Sequence, residues 1–132
     1  MSVDVLLIED NLGDAVLIRD AINRLPVPVD LHLALDGHQA LLILSNPHFR
    51  PDLIILDLSL PDLSGWDVAK TVRESLPAVP ILLLTAHGGS PMIEEIRRRG
   101  LQGYVSKSEA DTTLLAAIDA ILHLKQGFFP TN

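Results

Sequence analysis

The sequence contains no cysteine, few aromatic residues and no apolar run of the length that crosses a membrane. Without cysteine, neither a disulfide framework nor a thiolate metal site can form. Aromatic residues make up 4% of the chain and all hydrophobic residues 48%, so we predict an aliphatic core. Because no apolar stretch approaches about 20 residues and no basic-then-apolar leader opens the chain, we expect a cytoplasmic protein without membrane contact.

Positive charge is also scarce. The chain has 10 Lys and Arg residues against 17 Asp and Glu residues, which gives a net charge of −7. Such an acidic body is poorly suited to phosphate backbones, so we expect DNA contact only through an additional output domain outside this sequence. The 132 residues are the usual size of one domain. We assign residues 1–127 to that domain, and residues 128–132 to a tail or the start of a linker.

Short apolar runs predict the strands. Nearly continuous runs occur at residues 5–8, 53–56 and 81–84, as is typical of strands covered on both faces of a parallel sheet. Residues 29–35 alternate and residues 101–106 are short and mixed, which favours edge strands. Helical patterns separate the runs, with helix starts predicted at Asn11 and Ser64. Short right-handed connections then predict an α/β fold, a doubly wound five-stranded parallel sheet of order 2-1-3-4-5 with helices on both faces.

Polar residues follow the carboxyl ends of four predicted strands. They are Glu9 and Asp10 after the first, Asp57 at the third, Thr85 at the fourth and Lys107 after the fifth. Ligands bind at this edge of open parallel sheets. Each residue alone would pass for a loop, cap or surface residue, but three carboxylates brought together repel, and a hard divalent cation such as Mg²⁺ relieves that repulsion. A carboxylate nucleophile beside such a cation and a lysine is suited to accept a phosphoryl group.

Four segments resemble the receiver domains of bacterial response regulators, in order and over essentially the whole chain. They are LIEDN at residues 7–11, ILDLSLPDLSG at 55–65, LTA at 84–86 and GYVSK at 103–107. The resemblance implies that Asp57 accepts a phosphoryl group from a histidine kinase or a histidine phosphotransfer protein. It also implies a signalling domain and not an enzyme, because such a domain catalyses only its own phosphorylation and dephosphorylation.

The resemblance further implies a metal site. Glu9 and Asp10 would bind Mg²⁺, which Mn²⁺ could replace. Asp57 and the main-chain carbonyl of Ser59 would be the further ligands.

The resemblance also assigns a set of residues to phosphoryl binding and switching. Thr85 would bond to the phosphoryl group, Lys107 would pair with it, and Tyr104 would be the switch aromatic. Ala86 and His87, next to Thr85, are candidate modulators of the pocket. The face formed by the fourth helix, fifth strand and fifth helix would contact a partner or form a homodimer.

The chain departs from the family directly after Lys107. The family usually has proline there, joined by a cis bond, whereas this chain has Ser108. A cis bond before serine costs roughly 3 kcal/mol, so we expect the bond either to be trans or to be held in strain by its surroundings. We also predict that the Ser108 hydroxyl caps the last helix, in a capping-box-like start with Asp111.

There are three alternatives to a phosphorylated receiver, and two of them require sequence features that this chain lacks. An aspartate-nucleophile phosphatase of the haloacid-dehalogenase type carries a second aspartate two residues after the nucleophile, where this chain has Ser59, and it carries a cap domain. A flavodoxin-like cofactor binder needs a hydroxyl- and glycine-rich loop where Glu9 and Asp10 would repel its phosphate. A degenerate receiver would act only as a docking module.

Overall fold

The computed structural model describes residues 2–86 and 90–130, except for the side chain of Ser90. Strands and helices alternate along these residues. Their bounds are β1 Val3–Ile8, α1 Leu12–Ile22, β2 Val29–Ala34, α2 Gly37–Leu44, β3 Leu53–Asp57, α3 Gly65–Ser75, β4 Ile81–Thr85, α4 Ser90–Arg98, β5 Gly103–Ser106 and α5 Ala110–Leu122. Among the described residues, no helix combines the length and apolar character needed to cross a membrane.

The strands form one parallel sheet in the order β2-β1-β3-β4-β5. The predicted fold class and strand order are therefore confirmed. Every residue of β3 and β4 is buried, as their continuous apolar runs indicated, and β2 lies at an edge. The fifth strand is shorter than predicted, because Gly100 at φ 71° ends the preceding helix and the chain reaches the sheet only at Gly103.

Two hydrophobic clusters cover the two faces of the sheet. Alternate residues of β1 enter different clusters: Val5 and Leu7 face α1 and α5, whereas Leu6 and Ile8 face α2, α3 and α4. We call these the α1/α5 cluster and the α2–α4 cluster. Since the central strands are buried on both sides, truncating one of their leucines to alanine should cost roughly 2–5 kcal/mol. The clusters hold the strand ends rigidly, which positions the polar residues that come after them.

Side chains cap two of the helices at the predicted starts. Asn11 Oδ1 accepts the Asp14 amide at 2.9 Å, and the Ser64 hydroxyl accepts the Trp66 amide at 3.2 Å. These bonds satisfy amides that have no partner within the helix.

The predicted cap at Ser108 is wrong. A 3₁₀ turn at Lys107–Glu109 places Ser108 before the helix, and its hydroxyl lies 3.0 Å from Ser106 Oγ. The helix begins at Ala110 without a side-chain cap. The Lys107–Ser108 bond is trans, since no described peptide bond is cis.

Candidate functional site at the carboxyl edge of the sheet

Three carboxylates meet where β1 and β3 end. The register pairs Ile8 with Leu56, so Glu9 and Asp57 come next, side by side. Glu9 is 0% exposed and Asp57 2%, whereas Asp10 is exposed. One oxygen from each carboxylate lies within 4.8 Å of the others. The predicted convergence of these acids is thus present in the structure.

Lys107 is the cation of this cluster. Its Nζ atom lies 2.8 Å from Glu9 Oε1, 2.9 Å from Asp57 Oδ2 and 3.0 Å from Asp14 Oδ2. Desolvation alone would lower the pKa of Lys107, but its interactions with the three carboxylates outweigh desolvation and raise that pKa. Lys107 is therefore charged and held against Asp57.

Asp14 has a role at this site that sequence reasoning missed. The sequence pattern indicates only its place in the first helical turn, where it does supply the amide bonded by Asn11. Its carboxylate also bonds to Lys107, 93 positions away in the chain. The local sequence carried no signal for this contact, because α1 begins at Leu12 and helical spacing therefore does not relate Asp14 to Asp10.

Burial changes the protonation of Glu9. Desolvation, together with the adjacent Asp57 carboxylate, raises the pKa of Glu9 from 4.5 to about 7, although Lys107 opposes the rise. Glu9 Oε2 accepts the Asn11 amide at 3.1 Å. Glu9 Oε1 is buried without a well-directed hydrogen bond, so its contact with Lys107 is an ion pair only.

The donor set fits a hard divalent cation. Clustered carboxylate oxygens, one of them buried without a hydrogen bond, are what Mg²⁺ neutralises while keeping several of its waters. Receiver domains typically bind Mg²⁺ through an acidic pocket of this kind, and the cluster of Glu9, Asp10 and Asp57 has that character.

The other predicted site residues lie around Asp57 in different ways. The Ser59 amide donates to Asp57 Oδ1 at 2.9 Å, and Thr85, 6% exposed, ends the neighbouring strand β4. Ala86 comes after Thr85 and is exposed. His87 lies outside the described residues.

Tyr104 is already buried. It is 2% exposed and belongs to the α2–α4 cluster, beside Leu83 in the pairing of β4 with β5. Because β4 lies between β5 and the strand that ends in Asp57, a switching role for Tyr104 has to act through β4.

Two aspartates that are close to Asp57 in the sequence lie outside the cluster. Asp52, at the opposite end of β3, accepts the Asp4 amide at 2.9 Å. Asp62 accepts the Gly37 and His38 amides, each at 2.9 Å, at the start of α2. Desolvation opposes these bonds, but together they lower the pKa of Asp62 below its usual range. Asp62 therefore ties the loop after β3 to α2.

The fold and this cluster together match a known family. A family model described as the response regulator receiver domain matches residues 5–119. The chain belongs to that family, whose members are receiver domains of two-component signalling.

Individual relatives support this assignment. The luminescence regulatory protein LuxO of Vibrio campbellii is 39% identical over 87% of this chain and 25% of its own length. The polar-differentiation response regulator DivK of Brucella ovis is 33% identical over 81% of this chain and 85% of its own length. The chain thus spans about a quarter of LuxO but most of DivK.

Solved structures show the same fold. A LuxR-family response regulator from Aurantimonas sp. has a TM-score of 0.82 and 29% identity, covering 96% of this chain and 89% of that one. The chemotaxis response regulator CheY4 of Vibrio cholerae has a TM-score of 0.80 and 26% identity, covering 92% of this chain and 100% of that one. The phosphatase and flavodoxin-like alternatives are not favoured by these similarities.

Proposed function

We propose that this chain accepts a phosphoryl group on Asp57 and signals through a partner or output surface. The observation that carries the proposal is the position of the Asp57 carboxylate. It is nearly buried, and its two oxygens are oriented by Lys107 and by the Ser59 amide, both at 2.9 Å. Glu9 and Asp10 flank it within the same cluster. Catalysis of phosphoryl transfer depends mainly on such positioning and on charge stabilisation.

In the transfer itself, the protein mainly positions the reacting groups and stabilises their charge. An Asp57 carboxylate oxygen forms a bond to phosphorus, and the bond between phosphorus and the donor's histidine nitrogen or acyl oxygen breaks. The leaving group keeps that electron pair. Lys107, already 2.9 Å from Asp57 Oδ2, would pair with the added negative charge. The Thr85 hydroxyl would donate a hydrogen bond to a phosphoryl oxygen. This bond would be stronger than one between neutral groups, because the acceptor is charged.

The acidic cluster would hold the metal ion. We infer that Glu9, Asp10, Asp57 and the Ser59 carbonyl bind Mg²⁺, or Mn²⁺ in its place. When bound, the ion neutralises negative charge that accumulates between the carboxylates and the incoming phosphoryl group. Ser59 stands two residues after Asp57, so no second aspartate is present there to act as general acid or base. We therefore propose an acceptor domain and not a phosphatase.

The proposed role also defines the partners. We propose a histidine kinase or histidine phosphotransfer protein as donor, acting in the cytoplasm, where ATP-derived phosphoryl groups are available. The surface of α4, β5 and α5 is proposed as the output or homodimer face. Any DNA contact would come from a separate output domain. We retain residues 1–127 as the receiver unit and residues 128–132 as a tail or the start of a linker.

Phosphorylation of Asp57 can be tested with a small donor. With acetyl phosphate and Mg²⁺, the protein should gain one acid-stable, base-labile phosphoryl group, detected by intact mass. Asp57→Asn should abolish this gain, and EDTA should suppress it. Asp52→Asn is the matched control, because Asp52 lies at the other end of β3 and should label normally. Undiminished labelling of Asp57→Asn would overturn Asp57 as the acceptor, and a lack of labelling in the wild type would leave only the docking module.

A further inference from the structure

A short segment after α5 lies along the free edge of β5. Phe128 forms a parallel bridge with Gly103. Its amide donates to the Gln102 carbonyl at 2.8 Å, and its carbonyl accepts the Tyr104 amide at 3.1 Å. We call residues 127–130 the docked segment. It supplies hydrogen-bond partners to an edge strand that would otherwise lack them.

Gly103 permits this close approach. Its φ of +148° lies in the region that favours glycine, and a Cβ atom there would lie 1.9 Å from the Phe128 carbonyl oxygen. No other side chain would fit without expelling the docked segment. The sequence of β5 is therefore compatible with the segment's position on its edge.

The two phenylalanines of the docked segment attach it to both faces of the sheet. Phe128 packs against the α1/α5 cluster, and Phe129 packs against the α2–α4 cluster, which contains Tyr104. The Arg97 guanidinium on α4 lies 4.3 Å from the centroid of the Phe129 ring, a cation–π contact. Arg98, the next residue, pairs with Glu95 instead. The segment is thus bonded to β5 and to α4 at once.

Tyr104 links the docked segment to the proposed phosphorylation site. Its amide bonds to the segment, and its side chain is buried beside β4, the strand that ends in Thr85. If phosphorylation draws the Thr85 side chain toward the phosphoryl group, this movement favours the buried position of the Tyr104 side chain. The Tyr104 side chain has this buried position in the structure, where the segment is docked.

We propose that the docked segment is a detachable edge strand whose binding to β5 and α4 is strengthened by phosphorylation of Asp57. The inference rests on the proposed function. Because it occupies the surface of α4, β5 and α5, the segment would be part of what a partner contacts there. Binding linkage makes the coupling reciprocal: a docked segment would in turn favour the phosphorylated state.

Amide hydrogen exchange of the full chain tests this coupling. The Phe128 and Tyr104 amides, both bonded across the edge, should exchange about tenfold more slowly with beryllofluoride and Mg²⁺, since one charge-assisted bond shifts a two-state equilibrium by that order. Arg97→Ala should speed exchange of the Phe128 amide roughly threefold. Arg98→Ala is the matched control, and it should leave that exchange unchanged because Arg98 pairs with Glu95 and not with Phe129.

The same samples separate failure of this inference from failure of the proposed function. Amide shifts of Leu58 and Ser59, next to Asp57, report whether beryllofluoride occupies the site. If they move while Phe128 exchange is unchanged or faster, the docked segment is not coupled and the inference is wrong. If they do not move, the proposed function is wrong and the inference with it. Equal effects of Arg97→Ala and Arg98→Ala would also overturn it.

Discussion

At the amino edge of the sheet Asp52 and Arg73 bond to backbone groups, whereas at the carboxyl edge three carboxylates contact a single lysine. Asp52 accepts the amide of Asp4. Arg73 Nη1 donates to three carbonyls near the start of β4, at 2.8 to 3.1 Å. Lys107 instead serves Glu9, Asp14 and Asp57 together.

Charged side chains therefore have different roles at the two edges of the sheet. At the amino edge the Asp52 carboxylate and Arg73 Nη1 have backbone partners, which stabilises the turns there, whereas Arg73 Nε is buried without a hydrogen bond. At the carboxyl edge negative charge exceeds positive charge in a nearly buried position, and Glu9 responds with a raised pKa. Such unbalanced clusters are costly unless a ligand completes them, so they mark functional sites. Changes at the two edges should consequently have different readouts.

The largest expected effect is on metal binding. Asp10→Ala should weaken Mg²⁺ binding by more than about 100-fold, because it removes a carboxylate that we propose as a direct ligand, whereas loss of an outer-shell partner costs roughly 10- to 100-fold. Glu9→Ala should cost less, about tenfold, because a group with a pKa of about 7 is already partly protonated at neutral pH. Calorimetric titration with Mg²⁺ at pH 7 measures both. Equal losses, or a greater loss for Glu9→Ala, would contradict this ranking.

A smaller effect is expected at the amino edge. Arg73→Ala should lower the free energy of unfolding by about 2 kcal/mol, because carbonyls near the start of β4 lose a charged donor. Acetyl phosphate labelling of the folded variant should be unchanged. Urea unfolding and intact mass give the two readouts. Lys70→Ala, an exposed cation one turn earlier on α3, is the control and should change neither. Loss of labelling in Arg73→Ala would mean that the two edges are coupled.

The smallest effect concerns pH. The pKa of Glu9 is about 7 in the folded protein against an ordinary value of 4.5. The folded state therefore holds this proton more tightly, and the resulting stabilisation is complete below the unfolded value and lost as pH rises through the folded one. Without divalent ions, the wild type should lose on the order of 1 kcal/mol relative to Glu9→Gln between about pH 5 and 8. Urea unfolding across this range is the measurement. Parallel pH curves for the two proteins would refute the raised pKa.

Much of the fold was determined by local sequence. The runs at residues 5–8, 53–56 and 81–84 are apolar on both faces, which is typical of a covered parallel strand, and the structure confirms all three. Because parallel strands end at one edge, the sequence also predicts that Glu9 and Asp57 meet, and they do. Strand periodicity and chain direction suffice to predict the three strands and the meeting of Glu9 with Asp57, since both can be determined from residues adjacent in the sequence.

Tertiary structure alone decided the contacts between distant parts of the chain. Asp14 and Lys107 are 93 positions apart, and nothing in either local pattern indicates their bond. The raised pKa of Glu9 depends on complete burial, which several elements produce together. Phe128, predicted to lie in a tail or linker, lies on the edge of β5 because Gly103 leaves room for it. A sequence pattern reports the periodicity of one segment, whereas these features depend on which segments the packed sheet brings within a few ångströms of each other.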